Sequence, residues 1–225
     1  MIDLPKKFNL CTEMRKLYLS NDYYVSISRE NESSEDNYWS NSIDPDGNKR
    51  NRIDEKEQYL SDITTELNYI KQLKPGKILD IGCGLGWLLS AVEEDWKKHG
   101  VEISKYASEY AAQYADIKNE HFLNADYESN FFDLIVMHHV IEHTQDPIKN
   151  LKKAIKILKD NGIIIIATPD FDSGCARHFG NNYRLLHDST HISLFSNDSM
   201  HRMLRDHSLV IDYVDYPYFN TKYFN

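Results

Sequence analysis

The residues with the most obvious chemical potential follow one short apolar run. Residues 78–86 read I-L-D-I-G-C-G-L-G, which puts glycines at Gly82, Gly84 and Gly86 and an acid, Asp80, two residues before the first. Glycine lets the backbone turn sharply and removes the Cβ that would hold a ligand off the chain. Two further acids follow: Glu102, then Asp126 with Tyr127 beside it. An acid at the end of a second strand can accept hydrogen bonds from both hydroxyls of a ribose. Asp126 could accept from an adenine amino group while Tyr127 covers the ring. The glycine spacing is G-x-G-x-G rather than the dinucleotide pattern G-x-G-x-x-G, and Trp87 is too bulky for the third glycine's place. That counts against a nicotinamide dehydrogenase.

Proton chemistry points to the histidines. His138, His139 and His143 form one cluster, and His187 with His191 a second. Imidazole takes a proton near neutral pH, as a hydroxyl acceptor would require. His191 is the first candidate base, His139 the second and His143 the third, the last also suited to fixing a helix start. Arg177, Arg184 and His187 share a segment with Asn181, Asn182 and Tyr183. A guanidinium fork suits phosphate or carboxylate, and amides suit sugar hydroxyls, so these are the candidate substrate-binding residues. The pair His187-x-x-x-His191 with Asp188 between could suggest a metal, but no third ligand is placed by the sequence, and none is expected.

Elements must hold these residues in place. Short apolar runs at 77–81, 100–103, 122–125, 132–137, 163–168 and 209–214 predict strands; helical spacing is read at 11–20, from 53 to Pro75, and at 87–95, 106–114, 147–159 and 196–206. Alternation of this kind means βαβ units on a parallel sheet, with the three acids at the ends of three consecutive strands. Lys149, Lys152, Lys153, Lys156 and Lys159 oppose Ile148, Leu151, Ile155 and Leu158 on one helix, so they are read as its wet face. Residues 169–195 make a long loop of the kind that carries function. Residues 26–52 are polar, yet hold Tyr38 and Trp39; residues 1–52 are therefore expected to form an N-terminal helical lid over a domain at 53–225.

In this order the motifs resemble those of class I S-adenosylmethionine-dependent methyltransferases: I-L-D-I-G-C-G-L-G, V-E-I-S ending at Ser104, N-A-D ending at Asp126, F-D-L-I-V-M-H-H-V-I-E-H through His143 to Asp146-Pro147, and L-K-D-N-G-I-I-I-I-A-T-P ending at Pro169. The segment starting at His191, H-I-S-L-F-S, is similar to the branch acting on small molecules and sugars, including bacterial surface-glycan or capsule methyltransferases. The resemblance implies an α/β Rossmann-like doubly wound sheet of seven strands, the last antiparallel, with helices on both faces. It implies S-adenosylmethionine as cofactor and S-adenosylhomocysteine as product. Asp80, Gly82, Cys83, Gly84 and Gly86 would surround the methionine part, Glu102 the ribose, and Ile103, Asp126 and Tyr127 the adenine, with His138 beneath. The acceptor would be an oxygen of a sugar, sugar nucleotide or phosphate-bearing precursor. His207-Ser208 departs from the Gly-Phe common before the sixth strand in that family.

Composition sets the outer bounds. The chain has 225 residues and a formal charge of −9, which argues against a nucleic-acid backbone binder. The longest apolar run, 163–167, is far short of the roughly 20 residues of a membrane span. Three scattered cysteines and the absence of a signal-like start suit a reduced, cytoplasmic protein. The rival class is a non-catalytic cofactor- or partner-binding member of the same fold. No feature of the sequence sets an oligomeric state.

Overall fold

The computed structural model describes residues 4, 7–28, 39, 42–43 and 49–216. Helix α1 (Leu10–Leu19) is followed by short strands β1 (Val25–Ser26), β2 (Ser42–Ile43) and β3 (Lys49–Arg50), then by helices α2 (Lys56–Asp62) and α3 (Thr64–Ile70). Strands β2 and β3 pair antiparallel, and residues 44–48 between them lie outside the described residues. The central part runs β4 (Lys77–Ile81), α4 (Trp87–Ala91), β5 (Lys97–Glu102), α5 (Lys105–Ala111), β6 (Asp116–Asn119) and β7 (Phe132–His138). It continues through α6 (Pro147–Ile157), β8 (Leu158–Ala167), α7 (Gly174–Phe179), β9 (Ser193–Leu194) and α8 (Asn197–Asp206). Among these, no helix is long and apolar enough to cross a membrane.

The main sheet has the order β6-β5-β4-β7-β8, and its four ladders are parallel. Alternation along the strands divides the core. Ile78, Leu134 and Val136 face Ile63, Ile70, Leu88 and Trp96 on one side. Leu79, Ile81, Ile135 and Met137 face Phe122, Ala154 and Ile157 on the other. Helix α6 fits this second face because Asp146 caps its first turn, Pro147 opens it and Leu151, Ala154 and Ile157 share a stripe. Strand order reverses at β4, and the crevice where it reverses is where such sheets hold ligands. The glycine turn after β4 and the loop after β7 both end there.

Four sequence expectations need correction. Among the described residues the main sheet has five strands rather than the expected seven, and none of these is antiparallel. Residues 209–214, expected as a sixth strand, make no ladder. The third strand is β6, at Asp116–Asn119, while 122–125 is a turn closed by Asn124 N–H to the His121 carbonyl (2.8 Å). Finally, the lysine face is not uniformly wet: Lys153 Nζ donates to the carbonyls of Phe122 and Ala125, capping that turn.

Of the expected lid, α1 packs through Leu10, Met14 and Leu17 on Phe171, Ala176, Tyr183 and Leu186, with β1 paired to β9. The N-terminal segment and the long loop thus share a core. Trp39 instead reaches across to the glycine turn, packing with Leu85, Trp87 and Ala107.

Candidate functional site

The glycine turn is built from the end of β4. Gly82, Gly84 and Gly86 have φ of 68°, 52° and 72°, a left-handed run that side chains with a Cβ resist. At Gly86 the reason is also packing: a Cβ there would stand 2.8 Å from Ala111 Cβ. Gly82 and Cys83 N–H groups donate to the Val101 carbonyl (2.8 and 3.2 Å), which ties the turn to β5. The Cys83 side chain points away, toward Gly100 in the sheet core. Burial first, then the charges of Asp80 and Glu102, push its thiol well up, so it is no nucleophile.

Glu102 closes the cradle. Its carboxylate accepts from the Gly84 N–H (2.9 Å) and the Ser104 N–H (2.8 Å), so one side chain fixes both the glycine turn and the start of α5. Asn119 donates its amide to the carbonyls of Glu102 and Ile103, and Trp39 Nε1 donates to Ser104 Oγ (3.1 Å). Ile103 is 60 % exposed at the tip of β5, where it can flank a flat ring. Asp80 is buried at the end of β4, and burial, then the Glu102 charge, push its carboxyl up to about 8. Two buried acids that repel one another at the floor of a glycine cradle fit a cationic ligand. A sulfonium with an amino-acid tail and a ribose satisfies that chemistry: Asp80 would face the cationic part, and Glu102 the ribose hydroxyls.

The adenine prediction divides. Asp126 is exposed in the loop after β6, not at a strand end. Tyr127 packs on Phe132 at 5.0 Å, with Lys118 over its ring. Its hydroxyl is pushed up by burial and has no hydrogen-bond partner among the described residues. Among the described residues neither hydrogen-bonds to the cradle, whereas Asn119 and Ser104, which the sequence reading did not single out, do.

The loop after β7 carries the imidazoles. Val140 presses on Gly82, where an added Cβ would meet its Cγ2 at 2.7 Å. His138 Nδ1 lies 3.3 Å from Glu66 Oε1 on α3, its ring 5.8 Å from that of Tyr59. Burial lowers the His138 pKa despite Glu66, while His138 holds Glu66 low. His139 takes a left-handed φ of 53°, a cost that persists where surroundings over-determine it. Here its N–H donates to the Ala167 carbonyl (2.9 Å) and its Nδ1 to Glu142 Oε1 (2.9 Å). Glu142 is fully buried and also accepts from Thr168 Oγ1 (3.0 Å). Burial would raise its carboxyl, but the His139 hydrogen bond and the charges of His139, His143 and His191 hold it at about 2. Burial would likewise lower His139, and Glu142 outweighs it, so His139 is raised. Sequence reading passed over Glu142, although its place just before His143 was a usable signal.

The second histidine group behaves differently. His191 is buried and donates Nδ1 to the Leu185 carbonyl (2.7 Å); burial, against the Asp188 charge, lowers its pKa. His143 Nδ1 donates to the Thr190 carbonyl (3.0 Å), and its ring lies 4.9 Å from that of His191. His187 is spent on the Asn181 carbonyl (2.9 Å). Arg177 forms a two-pronged pair with Asp172 (2.9 and 2.6 Å), and both line the groove described next. Arg184 also lines this groove of about 2310 Å³, which runs along β8 and takes in His139 and Thr168.

Comparison with known proteins agrees with this geometry. A family model described as a methyltransferase domain matches residues 50–214. A ubiquinone biosynthesis O-methyltransferase of Pelagibacter ubique is 34 % identical over 108 residues, 44 % of each chain. An uncharacterized methyltransferase of Schizosaccharomyces pombe is 27 % identical over 172 residues, 67 % of this chain and 60 % of its own. The chain spans about half the length of the curated relatives it matches. Among solved structures, a methyltransferase of Thermotoga maritima, described as a possible histamine N-methyltransferase, superposes with a TM-score of 0.54 at 25 % identity, covering 68 % of this chain and 76 % of its own. The sugar branch expected from the sequence is not represented among these relatives. The chain belongs to the methyltransferase domain family, and S-adenosylmethionine is the cofactor that its glycine cradle and paired acids fit.

Proposed function

We propose that the chain transfers the methyl group of S-adenosylmethionine to an oxygen of a small acceptor that enters along the β8 groove. The observation that carries this reading is the His139–Glu142 pair, set in a left-handed turn where the loop after β7 passes against Gly82. Methyl transfer from a sulfonium is an in-line displacement, so the protein chiefly aligns acceptor and methyl. An acceptor hydroxyl must also lose its proton, and His139, backed by a buried carboxylate, is the side chain we assign to receive it. This reorders the candidates: the Nδ1 atoms of His191 and His143 are tied to carbonyls behind it. Arg184, Asn182, Tyr183 and Asp170 give the groove a polar lining, which supports a sugar, sugar nucleotide or phosphate-bearing acceptor. The relatives named for ubiquinone biosynthesis support a phenolic hydroxyl instead, and both classes belong in one assay.

The test is methyl transfer from labelled S-adenosylmethionine to sugar nucleotides, phosphorylated sugars and catechols, preceded by calorimetry with S-adenosylhomocysteine. Binding that weakens in Glu102→Ala, with turnover lost in His139→Gln at unchanged cofactor affinity, is expected. Absence of binding by the wild-type chain sinks the cofactor reading, and full turnover by His139→Gln on an identified acceptor sinks the base.

A further inference from the structure

Behind His139, side chains from two distant segments converge in a way that methyl transfer does not require. Glu142 and His143 lie in the 3-10 turn Ile141–His143, and His191 lies two residues before β9. The segments are laced together: Ile192 N–H donates to the Glu142 carbonyl (3.0 Å), and Ser193 Oγ to the Thr144 carbonyl (2.8 Å). One ligand atom from each of Glu142, His143 and His191 falls within 4.8 Å of the others.

The orientation of the rings is the second observation. Backbone carbonyls only accept, so the Thr190 and Leu185 carbonyls fix the proton of each imidazole on Nδ1. The Nε2 lone pairs are left as the available donors. A carbonyl behind the far nitrogen is the usual outer support of a metal-bound histidine. Thr168 Oγ1 gives Glu142 the same support, and Asp188 Oδ2 stands 3.9 Å from His191 Nε2 as a further carboxylate at the edge.

We infer that Glu142, His143 and His191 form a binding site for a first-row divalent transition cation, with Zn2+ the natural probe. Two neutral imidazoles and a carboxylate suit such a cation better than Mg2+ or Ca2+, which prefer an all-oxygen shell. A metal about 2.1 Å from each ligand would draw the three atoms to about 3.4 Å apart, a contraction within reach of side-chain rotation. The sequence pairing of His187 with His191 is replaced here, because His187 turns to Asn181 and the missing ligands, His143 and Glu142, come from 48 and 49 residues upstream of His191. Binding itself does not depend on the methyl-transfer reading. An effect on the acceptor does, because Glu142 also holds His139.

The experiment is metal analysis of the chelator-stripped protein after equilibration with Zn2+, paired with Co2+ absorption spectroscopy. We expect about one equivalent bound, visible Co2+ bands of a low-coordinate nitrogen and oxygen site, and at least tenfold weaker binding in His191→Ala and in Glu142→Gln. His178→Ala, at an exposed histidine, serves as the control and should bind as the wild type does. Circular dichroism identifies any variant that fails to fold; for such a variant, His143→Gln is read in its place. The inference is overturned if the wild type retains no more Zn2+ than buffer, or if the folded ligand variants bind as the control does. Cofactor affinity measured on the stripped protein separates failure here from failure of the methyltransferase reading.

Discussion

Asp80 makes cofactor binding a measurable proton event. Its carboxyl is buried at the end of β4, and burial, then the Glu102 charge, push it up to about 8; Cys83, the other titrating group facing it, stays protonated. A carboxyl raised in the fold adds stability below its unfolded pKa and loses it as pH climbs toward the folded value, so the ligand-free chain should weaken between about pH 4 and 8. A cationic cofactor selects the ionised form. With a pKa of about 8, roughly nine tenths of the sites are protonated at about pH 7, so binding there should release about 0.9 proton and be about elevenfold weaker than at full ionisation. Between about pH 6 and 7, below the titration of the ligand's own amine, the dissociation constant for S-adenosylmethionine should fall about ninefold. Calorimetry in two buffers of different ionisation enthalpy counts the protons directly. Asp80→Asn should abolish both the release and the slope. A dissociation constant flat over this range, or a slope that survives in Asp80→Asn, would refute the reasoning.

Three further outcomes follow from the packing. Gly86→Ala places a Cβ 2.8 Å from that of Ala111 in a left-handed backbone, and urea unfolding should show a loss of about 2 to 4 kcal/mol. Lys153→Ala strips the donor from the Phe122 and Ala125 carbonyls and should cost about 1 to 3 kcal/mol, while Lys152→Ala, on the exposed side of the same helix, should leave the urea midpoint unchanged. Arg177→Ala removes a surface pair with Asp172 and should shift stability in urea unfolding by less than about 0.5 kcal/mol.

The parts of the site legible in the sequence are those that one strand and its following turn determine. Gly82, Gly84 and Gly86 follow β4 because their left-handed φ values favour glycine, and Glu102 closes on them because β5 lies beside β4. Asp126 was misplaced for a physical reason. β6 is an edge strand reading D-I-K-N, in which Ile117 alone reaches the core, so its pattern is too polar to be seen. The apolar Phe122 and Ala125 nearby belong to a turn plugged into the other core, and they drew the reading away. The meeting of His143 with His191 was also out of reach. It depends on a backbone hydrogen bond between Glu142 and Ile192, fifty residues apart, which leaves no periodic trace.

The missing strand is the more instructive case, because residues 209–214, L-V-I-D-Y-V, have a strand's composition. Composition does not make a ladder without a partner in register. Leu209 N–H turns back to the Leu204 carbonyl (3.0 Å), ending α8 in a local cap. Beyond it, Tyr69 of α3 holds the segment by its side chains: its hydroxyl donates to Asp212 (3.0 Å), and its ring stacks on Tyr213 at 6.1 Å. The segment is anchored to a helix, no described strand pairs with the outer edge of β8, and Ile163, Ile164, Ile165 and Ile166 stay half-buried along the groove. His139 and Thr168 line the same groove. The irregularity that defeated the strand prediction is thus the same feature that opens a path to the proposed acceptor site.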